Sequence, residues 1–215
     1  MSCYDMVLKY INNNGKGTPI FIDDVRKYVI DYYNTKDATK IANNVKVILN
    51  RLNKEGIIKT AQKGIYYVPK ENIFGKMTIG NNDIIKYKYL MDKEGNIKGY
   101  ITGAKLFNDL HLTTQVPNKI DIVTNECKNY NKYENKQLNV IIRKPKTIID
   151  NNNYKYLQLF DLIENKDKIK IDVDNEDEII YQFIKNNDLD FEKIIKYAVD
   201  TKCKKVINKI LILAR

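Results

Sequence analysis

The stretch that decides the fold of the N-terminal part is DATKIANNVKVILNRLNKEGIIKTAQKGIYYVP, residues 37–69. Its first half predicts a helix from about Asp37 to Lys54, because apolar residues recur there at helical spacing and form one stripe. Gly56 suits the end of this helix, since glycine adopts left-handed backbone angles without steric cost. The stripe consists of Ile41, Val45, Ile48, Leu49 and Leu52.

The second half of the stretch predicts a two-stranded hairpin. The segments GIIKTA (56–61) and GIYYVP (64–69) are rich in β-branched and aromatic residues, and Gln62-Lys63-Gly64 joins them as a tight turn. Pro69 has no backbone N–H to donate, so it closes the second strand.

Two further helices are predicted upstream of this stretch. Residues 6–14 carry apolar side chains at helical spacing, residues 20–22 (Ile-Phe-Ile) look extended, and Asp23 or Asp24 can cap the second helix. Three helices followed by a two-stranded ribbon is the element order of a winged helix-turn-helix. In that arrangement the third helix enters the major groove of DNA and the ribbon, or wing, lies along the backbone.

The charge of the chain favours a polyanionic partner. Lys and Arg number 37 against 27 Asp and Glu, a formal net charge of +10. Residues 36–70 hold eight basic and two acidic residues, whereas residues 151–215 hold twelve of each. Asparagine can pair with adenine and lysine can neutralise phosphates, so we expect duplex DNA as the partner. The alternative is that the third helix has only a solvated polar face and the ribbon is only a surface hairpin. The candidate DNA-binding residues are Lys36, Thr39, Lys40, Asn43, Lys46, Asn50, Lys59, Gln62 and Lys63.

The rest of the chain predicts a small α/β unit followed by helices. The expected fold class is therefore α+β, with a winged helix-turn-helix domain at 1–70 and a second domain at 75–215. The predicted elements are a strand at 86–90, a turn at 92–96, a strand at 100–101, a helix at 104–110 that Thr102 caps, strands at 120–123 and 138–142, and helices from Tyr154 onward.

Three segments carry motifs of a known family: LNRLNKEGIIKTAQKGIYYVP (49–69), YITGAKLFNDLHLTTQVPNKIDIVTN (100–125) and IIKYAVDTKCKKVINKILI (194–212). They resemble the AbiEi-type antitoxins of bacterial abortive-infection toxin–antitoxin systems, and the central segment is similar to that family's Leu-Thr-x-Gln-Val-Pro box. The sequence departs from the family at His111, where a small residue is usual.

The resemblance implies a winged-helix antitoxin that represses its own operon and counters a nucleotidyltransferase-like toxin in phage defence. It also places Arg51, Lys59, Lys63 and Tyr66 near DNA. The central box is either a contact with the toxin or a structural turn that holds the α/β unit together. Its residues are Thr113, Thr114, Gln115 and Pro117.

No enzyme activity, metal or cofactor is expected. Asp172 and Asp174 resemble the paired carboxylates that hold Mg²⁺ in nucleotidyltransferases, but no Gly-Ser phosphate loop accompanies them. We interpret this segment as a solvated acidic loop that caps a helix starting near Glu178; a nuclease-like alternative would require a metal ion on the two aspartates. Phosphate-loop, dinucleotide and nucleophile-elbow motifs are absent from the sequence, and a single histidine excludes sites that need two.

The sequence favours a cytoplasmic protein without a membrane partner. No apolar run approaches the roughly 18 residues that a membrane span needs, and the N-terminus carries Asp5 and Lys9 where a signal peptide would be apolar. An alternative function is a ligand-responsive winged-helix regulator unrelated to a toxin. An apolar pocket with converging polar groups in the α/β unit would favour that alternative.

Overall fold

The chain is a mixed α+β protein that divides into two compact units, Met1–Tyr87 (the first unit) and Lys88–Arg215 (the second unit). The first unit thus extends past the expected boundary at residue 70. Within the described residues, none of the helices has the length and apolar character needed to cross a bilayer. The structure, a computed structural model, describes residues 1–34, 37–73, 75–127, 131–200 and 203–213.

The first unit begins with helix α1 (Cys3–Asn14), which starts three residues before the segment 6–14 that its apolar pattern indicates. Ser2 explains the earlier start, because its hydroxyl accepts a hydrogen bond from the Asp5 N–H at 3.2 Å. The Asp5 carboxylate in turn accepts one from the Ser2 N–H at 2.9 Å, which completes a reciprocal cap.

Strand β1 (Ile20–Phe21) leads without a loop into helix α2 (Ile22–Tyr33). The helix therefore begins before Asp23 and Asp24, and both lie in its first turn instead of capping it. The expectation that one of them is the cap was wrong, although their negative charge still suits the N-terminal end of the helix dipole.

Helix α3 (Ala38–Lys54) is the predicted third helix, and Gly56 follows it with a left-handed φ of 78°. Its apolar stripe packs against α1 and α2 in the core of the first unit. A fully buried apolar side chain stabilises the folded state by about 1.5–3 kcal/mol relative to an exposed one. The stripe is fully buried at Val45, Leu49 and Leu52 and half-buried at Ile41 and Ile48.

The predicted hairpin consists of β2 (Lys59–Gln62) and β3 (Ile65–Tyr67), which pair antiparallel. β1 pairs with the other edge of β3, so the sheet order is β1-β3-β2. Gly64 in the connecting turn has a φ of 76°, which explains the glycine at this position.

A second hairpin, β4 (Lys70–Asn72) and β5 (Gly75–Met77), and helix α4 (Asn81–Ile85) complete the first unit. The segment Lys86–Leu90 continues α4 as a π-helical turn, so the strand predicted there was wrong. The alternating tyrosines misled the prediction, because only Tyr89 is buried and a strand would turn both rings to one face.

The second unit is built on a four-stranded mixed sheet. The strands are β6 (Gly99–Thr102), β7 (Ile120–Thr124), β8 (Lys132–Asn135) and β9 (Val140–Arg143), in the order β6-β7-β9-β8. β7 and β9 run parallel and the other pairs run antiparallel. The strands predicted at 100–101 and 120–123 are confirmed. The strand predicted at 138–142 corresponds to β9, whose pairing starts at Val140. The sequence analysis missed β8.

Helices of the second unit pack together into one apolar core, with α5 and α6 also lying against the sheet. A 3-10 turn, Lys166–Lys168, follows α6. The helices are α5 (Gly103–Asp109), α6 (Tyr154–Asn165), α7 (Glu176–Asn186), α8 (Phe191–Asp200) and α9 (Lys204–Leu213).

Candidate nucleic-acid interface

Helix α3 presents a polar face that contains no acidic side chain. Its 17 residues include four cations and neither aspartate nor glutamate. Because the apolar stripe is turned into the core, the residues on the opposite side of the helix are exposed. We call this exposed surface the α3 face; it consists of Thr39, Lys40, Asn43, Lys46, Val47, Asn50 and Lys54.

The two predicted asparagines of the α3 face differ in what they can offer a ligand. The Asn50 carboxamide oxygen accepts a hydrogen bond from the Tyr66 hydroxyl at 3.4 Å, so mainly its N–H₂ group faces outward. Asn43 is exposed, and the described residues provide its side chain with no hydrogen bond. Asn43 therefore keeps both the donor and the acceptor that pairing with adenine requires.

Tyr66 is a core residue. It is 6 % exposed and belongs to the apolar cluster that α1, α2 and α3 share. The resemblance placed Tyr66 near DNA, but its ring is not available at the surface. Its contribution to the α3 face is indirect, through the hydrogen bond that orients Asn50.

Arg51 has partners within the protein. Its Nε donates to Glu55 at 2.8 Å, and its guanidinium carbon lies 5.7 Å from the centre of the Tyr4 ring. The Glu55 carboxylate raises the pKa of Arg51 above its usual value. A contact between Arg51 and a phosphate would compete with this ion pair, so Arg51 is a weaker candidate than the sequence suggested.

The β2–β3 ribbon adds two exposed lysines, Lys59 and Lys63, at its edge and turn. Among the described residues, no carboxylate lies within ion-pair distance of either one. Gln62, in contrast, is half-buried and donates its amide hydrogen to Asn81 at 2.8 Å. The ribbon thus offers two cations, and Gln62 connects it to the start of α4.

Lys36, the remaining candidate, lies outside the described residues. The sequence analysis missed two members of the α3 face, Val47 and Lys54. Both follow from helical spacing, because Val47 lies four residues after Asn43 and Lys54 lies seven after Val47. They were overlooked because the sequence analysis named only polar residues on this face of α3 and did not consider Lys54 in the last turn of the helix.

The central box is held by one carboxylate from the segment after the 3-10 turn. Oδ2 of Asp172 accepts hydrogen bonds from the Thr113 hydroxyl at 3.1 Å, the Thr114 N–H at 3.0 Å and the Thr114 hydroxyl at 2.9 Å. The Asp172 N–H also donates to the Leu112 carbonyl at 3.0 Å. The Thr114 bonds stabilise the ionised carboxylate and lower the pKa of Asp172 to about 2.

These contacts favour the structural interpretation of the box. Thr113 is buried, Pro117 is half-buried, and Gln115 and Val116 remain exposed. Asp172 does not cap a helix, contrary to expectation: it is committed to the box.

The acidic segment shows no metal cluster. Helix α7 starts at Glu176, with three acids of its own in the first turn. Asp174 is exposed. Within the described residues, no group of three or more His, Cys, Asp or Glu side chains could hold a metal ion.

His111 occupies a backbone position that usually belongs to glycine. Its φ is 59°, in the left-handed region. The Leu112 N–H donates to the Phe107 carbonyl at 2.9 Å and the His111 N–H donates to the Asn108 carbonyl at 3.0 Å, the two bonds of a Schellman motif that ends α5. A histidine at this left-handed position therefore has a cost in backbone strain.

The second unit also contains a cavity of about 230 Å³ between α6 and the sheet. Leu157 and Phe160 provide apolar walls, while Asp161 and Tyr100 bring polar groups to the same space. The Tyr100 hydroxyl donates to Asp161 at 3.3 Å. Burial raises the pKa of Asp161 above its usual value.

One family profile matches the chain over residues 6–190, and its description is "Family of unknown function (DUF6088)". The chain belongs to this family. The matched part of this DUF6088 chain includes the α3 face, the ribbon, the central box and the cavity-forming helix α6, and it ends between α7 and α8. Comparison with curated proteins gives no match.

Proposed function

We propose that the chain is a cytoplasmic transcriptional repressor that binds operator DNA through a winged helix-turn-helix formed by its first unit. The observation that carries the proposal is the α3 face, where exposed amide, hydroxyl and lysine side chains stand together without a single carboxylate. Such a surface can bind phosphates through its cations and read base edges through Asn43.

The arrangement of the first unit supports this proposal. A helix, a short strand and two helices precede the β2–β3 ribbon, and β1 pairs with β3. In a winged helix the third helix lies in the major groove, which assigns that role to α3, and the ribbon supplies phosphate contacts through Lys59 and Lys63.

The test is a fluorescence anisotropy titration of the full chain with duplex DNA from upstream of its own gene. We expect saturable binding that Lys46→Glu weakens about tenfold or more, because a carboxylate would then face the phosphates. The matched control is Lys193→Glu, an exposed lysine of α8 in the second unit that makes the same change in net charge. Equal weakening by both variants would indicate unspecific electrostatic attraction and contradict the proposal.

We further propose that the chain is the antitoxin for a nucleotidyltransferase-like toxin. The support is the resemblance of its three segments to AbiEi-type antitoxins. In addition, α8 and α9 carry exposed apolar side chains suited to protein packing, including Val199 and Leu211, 57 % and 54 % exposed.

Growth rescue from a co-expressed cognate toxin tests the antitoxin role. Lys46→Glu should keep rescue while losing operator binding, since the two roles use different surfaces. Asp174→Asn should also keep rescue, because no catalysis is involved. Absence of rescue by the unaltered chain would contradict the antitoxin role, and loss of rescue in Asp174→Asn alone would favour an enzymatic mechanism.

The cavity beside Asp161 favours a second candidate, a regulator that responds to a small ligand. It brings apolar side chains together with the half-buried Asp161 carboxyl and the Tyr100 phenol, but cations such as Arg143 and Lys146 also line it, and it is smaller than most ligand pockets. A screen of metabolites by thermal unfolding would identify a ligand that raises the unfolding temperature. Asp161→Asn should abolish that shift, and a shift that persists in Asp161→Asn would place the ligand elsewhere.

A further inference from the structure

Val47 is an apolar residue at the centre of an otherwise polar surface. It is 65 % exposed, whereas Val45 on the same helix is fully buried. A valine at an exposed helical position brings no core packing and has a lower helix propensity than alanine or lysine. Its presence therefore has no explanation in the stability of α3.

The neighbours of Val47 are the residues best suited to reading bases. Asn43 lies one turn before it, and Asn50 lies one turn after it on the α3 face. Asn43 offers a donor and an acceptor, and Asn50 offers mainly its N–H₂ group because Tyr66 holds its oxygen. Val47 thus lies between two amides that can each contact a base edge.

We propose that Val47 is a specificity-determining residue that contacts the 5-methyl group of a thymine in the operator. This inference rests on the proposed DNA-binding function. The thymine methyl group is the one apolar group that unmodified base pairs present in the major groove, and an apolar side chain is its natural partner. With Asn43 pairing to adenine nearby, the α3 face selects neighbouring A·T base pairs.

The expected effect follows from the burial of one methyl group, which changes an equilibrium constant about fourfold. Replacing the contacted thymine by deoxyuridine removes that methyl group and leaves every hydrogen-bonding group in place. Wild-type affinity should therefore fall about fourfold at one or two thymine positions and stay unchanged at the others.

The experiment uses the full chain and a duplex selected by it from a random pool. Each thymine is replaced in turn by deoxyuridine, and dissociation constants are measured for wild type, Val47→Ala and Val47→Thr. Val47→Ala should bind the thymine duplex more weakly and lose most of the fourfold sensitivity to deoxyuridine, whereas Val47→Thr, which retains one γ-methyl group, should keep part of that sensitivity. The control is Val199→Ala, an exposed valine of α8, which should keep the wild-type sensitivity.

Two failures are distinguishable. If no duplex is enriched from the pool, the DNA-binding function fails and the inference fails with it. If a duplex is enriched but Val47→Ala keeps the wild-type ratio of thymine to deoxyuridine affinities at every position, DNA binding stands and the role of Val47 is overturned. Alanine is a better helix former than valine, so unfolding of α3 does not confound the comparison.

Discussion

The salt dependence of the proposed DNA binding should reveal which cations contact phosphates. Each phosphate contact contributes a slope of about −0.9 to log K against log salt concentration. The α3 face and the β2–β3 ribbon together carry five exposed lysines that have no carboxylate within ion-pair distance among the described residues, so phosphate contacts through these two surfaces should give a slope no steeper than about −4.5. Arg51 is left out because Glu55 holds it at 2.8 Å. The five lysines are Lys40, Lys46, Lys54, Lys59 and Lys63.

Replacing Lys59 and Lys63 together by alanine should make the slope less negative by about 1.8. When the salt concentration rises from 50 to 200 mM, both proteins lose affinity, and the fold-loss should be about twelve times smaller for the variant than for wild type. Arg51→Ala serves as the matched control and should leave the slope within about 0.3 of wild type.

The assay is an anisotropy titration at four or more salt concentrations in that range. A wild-type slope in the double lysine variant would refute the assignment of the ribbon to the DNA backbone. A change of about 0.9 in Arg51→Ala would refute the argument that the exposed ion pair with Glu55 keeps this cation from phosphate binding.

The other predictions concern the second unit and the glycine positions. The folded-state pKa of Asp172 is about 2 against an ordinary value of 3.8, so the ionised carboxylate stabilises the fold above about pH 4 and this stabilisation is lost as the pH falls towards 2. Acid unfolding followed by circular dichroism should show this loss, and Asp172→Asn should abolish it. His111→Gly should raise the unfolding temperature by about 2–3 °C in a calorimetric scan, because relief of left-handed strain exceeds the extra entropy of glycine in the unfolded chain. An unchanged or lower unfolding temperature would contradict the assignment of His111 to the C-terminal cap of α5. Gly99→Ala should destabilise the chain by about 3 kcal/mol or more in denaturant titration, because its Cβ would lie 2.2 Å from the Tyr89 carbonyl oxygen. Gly80→Ala, where the nearest atom is 3.9 Å away, should cost no more than about 1 kcal/mol, the usual effect of alanine at a helix N-cap.

Local patterns predicted much of the first unit. The stripe at Val45, Leu49 and Leu52 specifies a helix buried on one side, and glycine at 56 and 64 specifies its end and the turn of the ribbon. These features depend on spacing and backbone angles, which the sequence records directly.

Long-range contacts could not be predicted in the same way. Asp172 meets Thr113 and Thr114 across 58 or 59 residues of sequence, and no local pattern announces that pairing. The burial of Tyr66 likewise depends on how three helices cover the sheet.

The sequence analysis chose the candidate DNA-binding residues by residue type, and their contacts in the structure corrected that choice. Freedom from partners separates Asn43 and Lys46 from Arg51, which is also exposed but pairs with Glu55. Val47 was not named at all, because only polar residues were considered on this face, although helical spacing already placed Val47 outside the apolar stripe.

The most direct test of the central claim is an amide NMR titration of the full, ¹⁵N-labelled chain with its operator duplex. The account predicts that chemical shifts change mainly along the α3 face, at residues such as Asn43 and Val47, and at Lys59 and Lys63 of the ribbon. The amides of α8 and α9 should stay unperturbed. Shift changes concentrated in the second unit, with the α3 face unaffected, would contradict the claim that α3 is the DNA-reading helix.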